Sequence, residues 1–161
     1  MRRGAQSVCA VVVCAFFAAP GANPQSLSRT RVTSDARDEA LIAAVNSVRT
    51  LHLLPKLSVD RCLRRAAIAH SLDMLRRDYF GHSDFGARMS RFHVRGRLFE
   101  ENLAYSSRVA SARTTVSDWL ASPPHRAILL DPSLRRIGVA TPVGAFGNWP
   151  AATLITADFA G

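Results

Sequence analysis

The period of the hydrophobic pattern changes along this chain, and the change limits the folds that the chain can adopt. Apolar residues first recur at the helical spacing i, i+4, i+7, as Leu41, Val45 and Val48 do. Near the C-terminus, the β-branched runs RRIGVATPV and AATLITADF instead predict two antiparallel strands, joined by the loop GAFGNWP. Helices that precede strands predict an α+β fold, with helices packed on a small antiparallel sheet.

Two long helices are predicted from their capping residues and their apolar stripes. Asp35 is suited to cap the first helix and Ser58 the second, because short polar side chains accept hydrogen bonds from free backbone N–H groups. The second helix carries a histidine within its apolar stripe, which consists of Leu63, Ala67, His70 and Met74. His70 is therefore predicted to be a core histidine with a hydrogen-bond partner.

The N-terminus has the pattern of a secretory signal peptide. Arg2 and Arg3 precede an apolar run over residues 8–19 that ends in small residues, which predicts a signal peptide over residues 1–21. A run of this length is short for a bilayer core, which takes about 20 helical residues; an uncleaved N-terminal anchor is the alternative. Residues 22–34 are polar and aperiodic and predict a linker, so we expect a secreted protein with one folded domain over residues 35–161.

Cysteine content and charge set further limits. Cys62 is the one cysteine outside the predicted leader, so the domain is expected to fold without an intramolecular disulfide. The chain has a formal net charge of +9 at pH 7, carried mostly by scattered arginines. Such a charge favours anionic lipid headgroups or anionic envelope polymers as partners. Nucleic acid is not expected, because the sequence contains no recognition motif for it.

Three ionisable residues lie beside turns or helix ends, where side chains can face a cleft: His82, Glu101 and His125. Two imidazoles and a carboxylate can share a divalent metal such as zinc or iron. The same groups can transfer protons, because histidine titrates near neutral pH. Their spacing matches no metal-binding motif, so the residue pattern alone leaves both chemistries open.

Five blocks follow one another over about residues 36–160: AAIAHSLDMLRRDYFGHSDFGARMSRF, EENLA, WLASPPHRAILL, RRIGVA and TADF. Together they resemble a bacterial secreted CAP domain, the superfamily of cysteine-rich secretory proteins, antigen 5 and plant pathogenesis-related proteins. The resemblance implies an α-β-α sandwich in which His82, Glu101 and His125 converge on a cleft able to hold zinc or another divalent cation. It also implies that His82 points inward, with Phe80 as its anchor.

The chain departs from the family pattern near these residues. Glu100 replaces a glycine, so two carboxylates are adjacent; an extended backbone would send Glu101 into the cleft and Glu100 to solvent, whereas a slipped register would exchange them. Ser122 occupies the position of a second glutamate in eukaryotic members. Pro124 replaces a glycine, and Ala157 replaces a glutamine that could line the cleft.

Two functions of different classes remain open. The first is an extracellular binding module for a lipid or cell-envelope ligand, in which the cleft responds to metal or is structural. The second is a hydrolase acting on envelope polymers or peptides. In that case Glu101 would serve as general acid or base, and His82 and His125 would bind metal or carry protons to activate water.

Overall fold

A computed structural model describes the backbone of residues 24–161 and the side chains of residues 35–161. The helices are α1 (Pro24–Leu51), α2 (Arg61–Arg77), α3 (Phe85–Arg91), α4 (Ala112–Ala121) and α5 (Pro123–Leu129). The strands are β1 (Ser58–Val59), β2 (Phe99–Ser106), β3 (Arg136–Ala140), β4 (Val143–Phe146) and β5 (Trp149–Ala160). Three of the five strands follow the last helix, while β1 and β2 lie between helices, and the predicted α+β class is confirmed.

The sheet is built around β5, which is long enough to pair with three other strands. The strand order is β1-β3-β5-β2, and β4 pairs with the first half of β5. The predicted antiparallel pairing holds for β2, β3 and β4 with β5, and the sheet also contains one parallel pair, β1 with β3. A two-residue strand is too short to show any periodicity, so β1 could not be predicted from the sequence. The predicted loop GAFGNWP is also largely a hairpin, in which β4 turns into β5.

Helices cover both faces of the sheet, as the predicted sandwich requires. Ile155, Ala157 and Phe159 of β5 join one core cluster, which includes residues of α1 and α4. Leu154 and Ala160 point to the opposite face, where they join two smaller clusters with residues of α2 and α3. Alternate residues of one strand therefore serve two apolar layers, which explains the almost unbroken apolar run of β5.

The first helix begins earlier than predicted. α1 starts at Pro24 and continues through Asp35, which is thus not its cap, and residues 24–34 are helical where a linker was expected. No glycine or proline lies between Pro24 and the end of α1, and proline is well tolerated in the first helical turn. The predicted signal peptide, residues 1–21, lies outside the described residues. Within the described part of the chain, no helix is long and apolar enough to cross a membrane.

A buried arginine fixes the chain that follows α5. The Arg49 side chain, fully buried on α1, donates hydrogen bonds to the backbone carbonyls of Pro55, Leu129, Asp131 and Leu134. These bonds satisfy carbonyl groups at the end of a helix and in the connection to β3, which would otherwise be buried without partners. Arg49 therefore holds the end of α5, the helix that carries His125, against α1.

Candidate functional site

The centre of the site is the buried carboxylate of Glu101 on β2. Its Oε1 atom lies 2.7 Å from Nδ1 of His82, and its Oε2 atom accepts a hydrogen bond from the Arg88 guanidinium. Arg88 also donates to the backbone carbonyl of His82, at 3.1 Å. The Glu101 side chain is only 2% exposed, whereas that of His82 is 59% exposed. The buried Glu101 carboxylate thus fixes the orientation of the exposed His82 imidazole through Nδ1.

Local structure places His82 in a short, well-defined connection between two helices. α2 ends at Asp78, which adopts the left-handed conformation that commonly terminates helices. Asp84 then caps α3 by accepting a hydrogen bond from the backbone N–H of Ala87. Phe80 is not the core anchor predicted for this segment, because its ring is 43% exposed and packs edge-on against Tyr105. The hydrogen bond with Glu101 holds His82 in place instead.

A second carboxyl group lies directly across the strand pair from Glu101. Asp158 of β5 is the antiparallel partner of Glu101 and is fully buried. Burial raises the pKa of Asp158 well above its ordinary value of 3.8; the negative charge of Glu101 raises it further, and Arg88 acts in the opposite direction. No N–H or O–H group of the described residues donates a hydrogen bond to its carboxyl oxygens, and Glu101 is the acceptor that a proton on Asp158 would reach. Asp158 is therefore expected to take up a proton on folding at a pH above 3.8 and to donate it to Glu101.

We expect Asp158→Asn to stabilise the protein at pH 7, by about 1–3 kcal/mol. In the unfolded chain Asp158 ionises near pH 3.8, so the wild-type protein must take up a proton on folding at higher pH. Wild-type stability should therefore fall as the pH rises above 3.8, and the advantage of asparagine should vanish below that pH. Urea unfolding at pH 7 and pH 3.5 measures both, with Asp118→Asn on the exposed face of α4 as the control. Destabilisation at pH 7 that disappears at pH 3.5 would mean instead that an ionised Asp158 stabilises the fold.

His70 also belongs to this site, although the sequence predicted a fully hydrogen-bonded core residue. It is buried on α2, where its Nε2 atom lies 3.8 Å from Oε2 of Glu101 and has no hydrogen-bond partner among the described residues. The backbone of Gly81 forms a hydrogen bond with the ring. Burial lowers the pKa of His70, while the Glu101 carboxylate acts in the opposite direction. The predicted burial is confirmed, and His70 in addition faces the ion pair of Glu101 and Arg88.

His125 approaches from the opposite side of the sheet. It lies in the first turn of α5, and its Nδ1 atom is 2.8 Å from the hydroxyl oxygen of Ser122. Ser122 would ordinarily cap this helix, but Pro123 and Pro124 have no N–H groups to offer, and its hydroxyl binds the imidazole instead. Asn102, next to Glu101 on β2, donates a hydrogen bond to the backbone carbonyl of His125 at 3.1 Å. Strand β2 therefore positions both histidines.

The two imidazoles are close enough to influence each other. Burial lowers the pKa of His125, and the neighbouring His82 lowers it further. Each ring is held through Nδ1, that of His82 by Glu101 and that of His125 by Ser122. No described residue forms a hydrogen bond with Nε2 of either ring. The arrangement thus offers two oriented imidazoles, each with one nitrogen available to a ligand.

A divalent cation fits part of this arrangement. Metal-binding histidines commonly have the second ring nitrogen held by a carboxylate or another polar group, as His82 and His125 do here. Glu101 itself is occupied by His82 and Arg88, and the guanidinium repels a cation. Among residues 35–161, no group of three or more His, Cys, Asp or Glu side chains is arranged to hold a metal ion. Two imidazoles with free Nε2 atoms are donors of the kind that zinc accepts, and a metal held by His82, His125 and Glu101 stays a prediction.

Three members of the site were not found from the sequence: His70, Arg88 and Asp158. Arg88 lies in an arginine-rich segment, where the sequence does not distinguish a buried arginine from an exposed one. The structure shows that its side chain is only 9% exposed and forms an ion pair with Glu101. Asp158 follows an apolar run, and a carboxyl group within a buried strand is the signal that could have revealed it. Glu100, the neighbour of Glu101, is half-buried and is not part of the ion pair.

Comparison with known proteins identifies the class to which this fold and site belong. Residues 42–148 match the family model described as CAP, the cysteine-rich secretory protein family, and the chain belongs to that family. Two relatives from Bacillus subtilis match: the membrane protein YlbC, 31% identical over 63% of this chain, and the protein YkwD, 27% identical over 72%. The chain covers only 30% and 49% of the lengths of these relatives.

Solved structures share the fold. An extracellular protein containing an SCP domain from Bacillus anthracis aligns with a TM-score of 0.68 at 24% identity, over 88% of this chain and 45% of that one. A cysteine-rich secretory protein from Staphylococcus aureus gives 0.59 at 17% identity, over 77% and 39% of the two chains. An outer surface protein from Borrelia burgdorferi gives 0.58 at 21% identity, over 74% and 90%. At these identities, the likeness supports the α-β-α fold alone.

Proposed function

We propose that the chain is an exported binding domain whose cleft, between His82 and His125, takes a polar group of a lipid or cell-envelope ligand. One observation carries the proposal: both imidazoles are fixed through Nδ1 and leave Nε2 for an external partner. Fixed, partly desolvated polar groups of this kind give a binding site its orientation and specificity. Export is supported by the signal-like N-terminus and by two structural neighbours, one an extracellular protein and the other an outer surface protein.

A divalent cation, with zinc as the first choice, is part of this proposal. His82 and His125 would hold it through Nε2, and Glu101 would orient the His82 ring from behind. When bound, such a cation would act as a Lewis acid toward a ligand oxygen. Without a cation, the same two nitrogens would form hydrogen bonds with the ligand directly.

Calorimetric titration of residues 24–161 with zinc tests the cation. His82→Ala and His125→Ala should each abolish measurable binding, and Glu101→Gln should weaken it about 10–100-fold, as the loss of a supporting carboxylate typically does. His52→Ala is the matched control, because that histidine is exposed and remote from the cleft. Equal zinc affinity in the wild-type protein and in both cleft variants would remove the cation from the proposal.

Ligand binding is tested with a panel of muropeptides and envelope lipids. Capture of one member by the wild-type protein, lost in His82→Ala and His125→Ala but kept in His52→Ala, would support the cleft. Capture that both cleft variants retain would place the ligand elsewhere.

A hydrolase is the second candidate, and one contact favours it. With its Nδ1–H group donating to the buried Glu101 carboxylate, the His82 imidazole would have an unprotonated Nε2 atom that could take a proton from a water molecule. Isolated sacculi and a peptide library are the appropriate substrates. Turnover that disappears in Glu101→Gln, with the fold retained, would favour the enzyme. Absence of turnover together with ligand capture would favour the binding domain.

A further inference from the structure

An exposed cluster of aromatic rings lies beside the cleft. Tyr105 is at its centre, with ring centroids 5.0 Å from Phe80, 5.6 Å from Phe146 and 5.7 Å from Trp149. These four residues form what we call the aromatic patch. Phe80 is two residues from His82, and Tyr105 lies on the same face of β2 as Glu101. The aromatic patch is therefore continuous with the histidine side of the cleft.

The aromatic patch lies on the solvent side of an apolar cluster, and most of its rings remain partly exposed and are not part of the buried core. The cluster beneath it contains Met74, Leu103 and Leu154, which are buried, with Phe146 packed against them. Phe80, Tyr105 and Trp149, in contrast, are each 39–47% exposed. The tip of the β4–β5 hairpin is held to the end of α2, since the backbone N–H of Gly147 donates to Asp78. Contiguous exposed aromatic surface on a fixed support is typical of an interaction site.

Exposed arginines border the aromatic patch and indicate the charge of its partner. Arg76 and Arg77, at the end of α2, are about 70% exposed, with values of 73% and 69%. Arg108, just beyond β2, is exposed as well. The whole chain has a formal net charge of +9. Amphipathic tryptophan and tyrosine rings next to basic side chains are the pattern of a surface that sits at the headgroup level of an anionic bilayer.

The composition of the patch favours a bilayer over a polysaccharide. A sugar chain stacks on aromatic rings but also needs polar partners for its hydroxyl groups, and Phe80 and Phe146 provide none. Phenylalanine side chains instead gain free energy by leaving water for the acyl boundary.

We propose that the aromatic patch docks the domain on an anionic lipid bilayer, with Trp149 and Tyr105 at the headgroup level and the bordering arginines on the lipid phosphates. Docking in this way presents the cleft to the membrane surface. The inference deepens the proposed function by naming the kind of envelope partner, and it rests on export to a compartment with an accessible bilayer.

The two tryptophans make a direct test available. Trp119 is buried in the core, so a change in emission on adding vesicles reports Trp149. Residues 24–161 contain every element of the described fold and exclude the apolar run of the leader. With vesicles of phosphatidylcholine and 30% phosphatidylglycerol, we expect a blue shift and quenching by brominated acyl chains. Pure phosphatidylcholine vesicles, or 0.5 M salt, should suppress both effects.

Variants locate the contact, with binding measured by vesicle sedimentation. Arg76→Gln with Arg77→Gln should reduce the partition coefficient about 25-fold, at about five-fold per arginine. Arg61→Gln with Arg65→Gln, at the other end of α2, is the matched control. Tyr105→Ala should also reduce binding, whereas Val59→Ser should not, because Val59 is an exposed apolar residue at the opposite edge of the sheet.

Several results would overturn the inference: no emission change, equal binding to neutral vesicles, or equal losses in the patch variants and their controls. Binding to insoluble polysaccharide in place of vesicles would overturn it in favour of a glycan partner. Vesicle binding is measured without zinc or a cleft ligand, and it is judged from the Arg76, Arg77 and Tyr105 variants and their controls alone. Failure of vesicle binding therefore does not count against the cleft, and failure of zinc or ligand binding does not count against the aromatic patch.

Discussion

Replacing Gly138 by alanine is expected to remove most of the folding stability. Gly138 lies in β3 directly beneath α2, and a Cβ atom there would be 2.1 Å from the backbone nitrogen of Arg64 and 2.2 Å from the backbone carbon of Leu63. Both obstacles are main-chain atoms of a helix, so no side-chain rotation relieves the overlap. Overpacking usually costs about 1–3 kcal/mol, but here α2 itself must move, and we expect a loss greater than about 4 kcal/mol.

The displacement of α2 should also be visible at the site, because α2 carries His70 and leads into the segment with His82. Urea unfolding and near-ultraviolet circular dichroism measure the loss. Gly86→Ala in α3 is the control: a Cβ atom at Gly86 meets no atom within 4 Å, and alanine is the better helix former by about 1 kcal/mol. We expect that variant to be as stable as the wild-type protein or slightly more stable. If Gly138→Ala were as stable as Gly86→Ala, the prediction would be contradicted, because α2 could then move away from β3 at little cost in free energy.

The sequence predicted those parts of the fold that repeat with a period. The stripe of α2 is buried as expected, including Leu63, Ala67 and Met74, and the C-terminal apolar run forms the central strand β5. β1 was missed because two residues carry no period, and its parallel pairing depends on where β3 lies. Gly138 was not recognised either, since the close approach of a helix to a strand is a property of the packed layers and not of the local sequence.

For the site, the sequence indicated His82, Glu101 and His125 but not the buried residues that contact Glu101. His82, Glu101 and His125 were singled out as ionisable groups beside turns and through the family resemblance. Arg88 lies among many other arginines, and Asp158 lies within an apolar strand. In neither case do the neighbouring residues in the sequence indicate a contact with Glu101. The roles also differ from a simple converging set, because Glu101 binds Arg88 and thus cannot face a cation freely. The contact between Glu101 and Asp158 depends on the register of β2 and β5, which places the two residues opposite each other.

The second large effect is expected from breaking the ion pair between Arg88 and Glu101. Both side chains are almost completely buried, and Arg88 Nη2 also lies 3.8 Å from Asp158. Glu101→Ala would leave a buried guanidinium without its charged partner, which typically costs about 3–5 kcal/mol. Arg88→Ala should cost a similar amount, because the carboxylate then remains buried. Urea unfolding at pH 7 measures the free energy of unfolding of both variants. As a comparison, replacing His82 by asparagine or alanine should cost less than about 1 kcal/mol, because that imidazole is largely exposed.

The double variant Arg88→Met with Glu101→Leu separates the value of the pair from the penalty of leaving one charge alone. Well-packed apolar side chains commonly replace a buried ion pair without loss, so we expect the double variant to be more stable than either single variant. The coupling free energy from the four proteins should then be several kcal/mol. Zinc and ligand binding should nevertheless be weakened in the double variant, because nothing fixes Nδ1 of His82. Additive losses in stability would contradict a buried, mutually dependent pair, and unchanged zinc and ligand binding would show that Glu101 does not orient the imidazole.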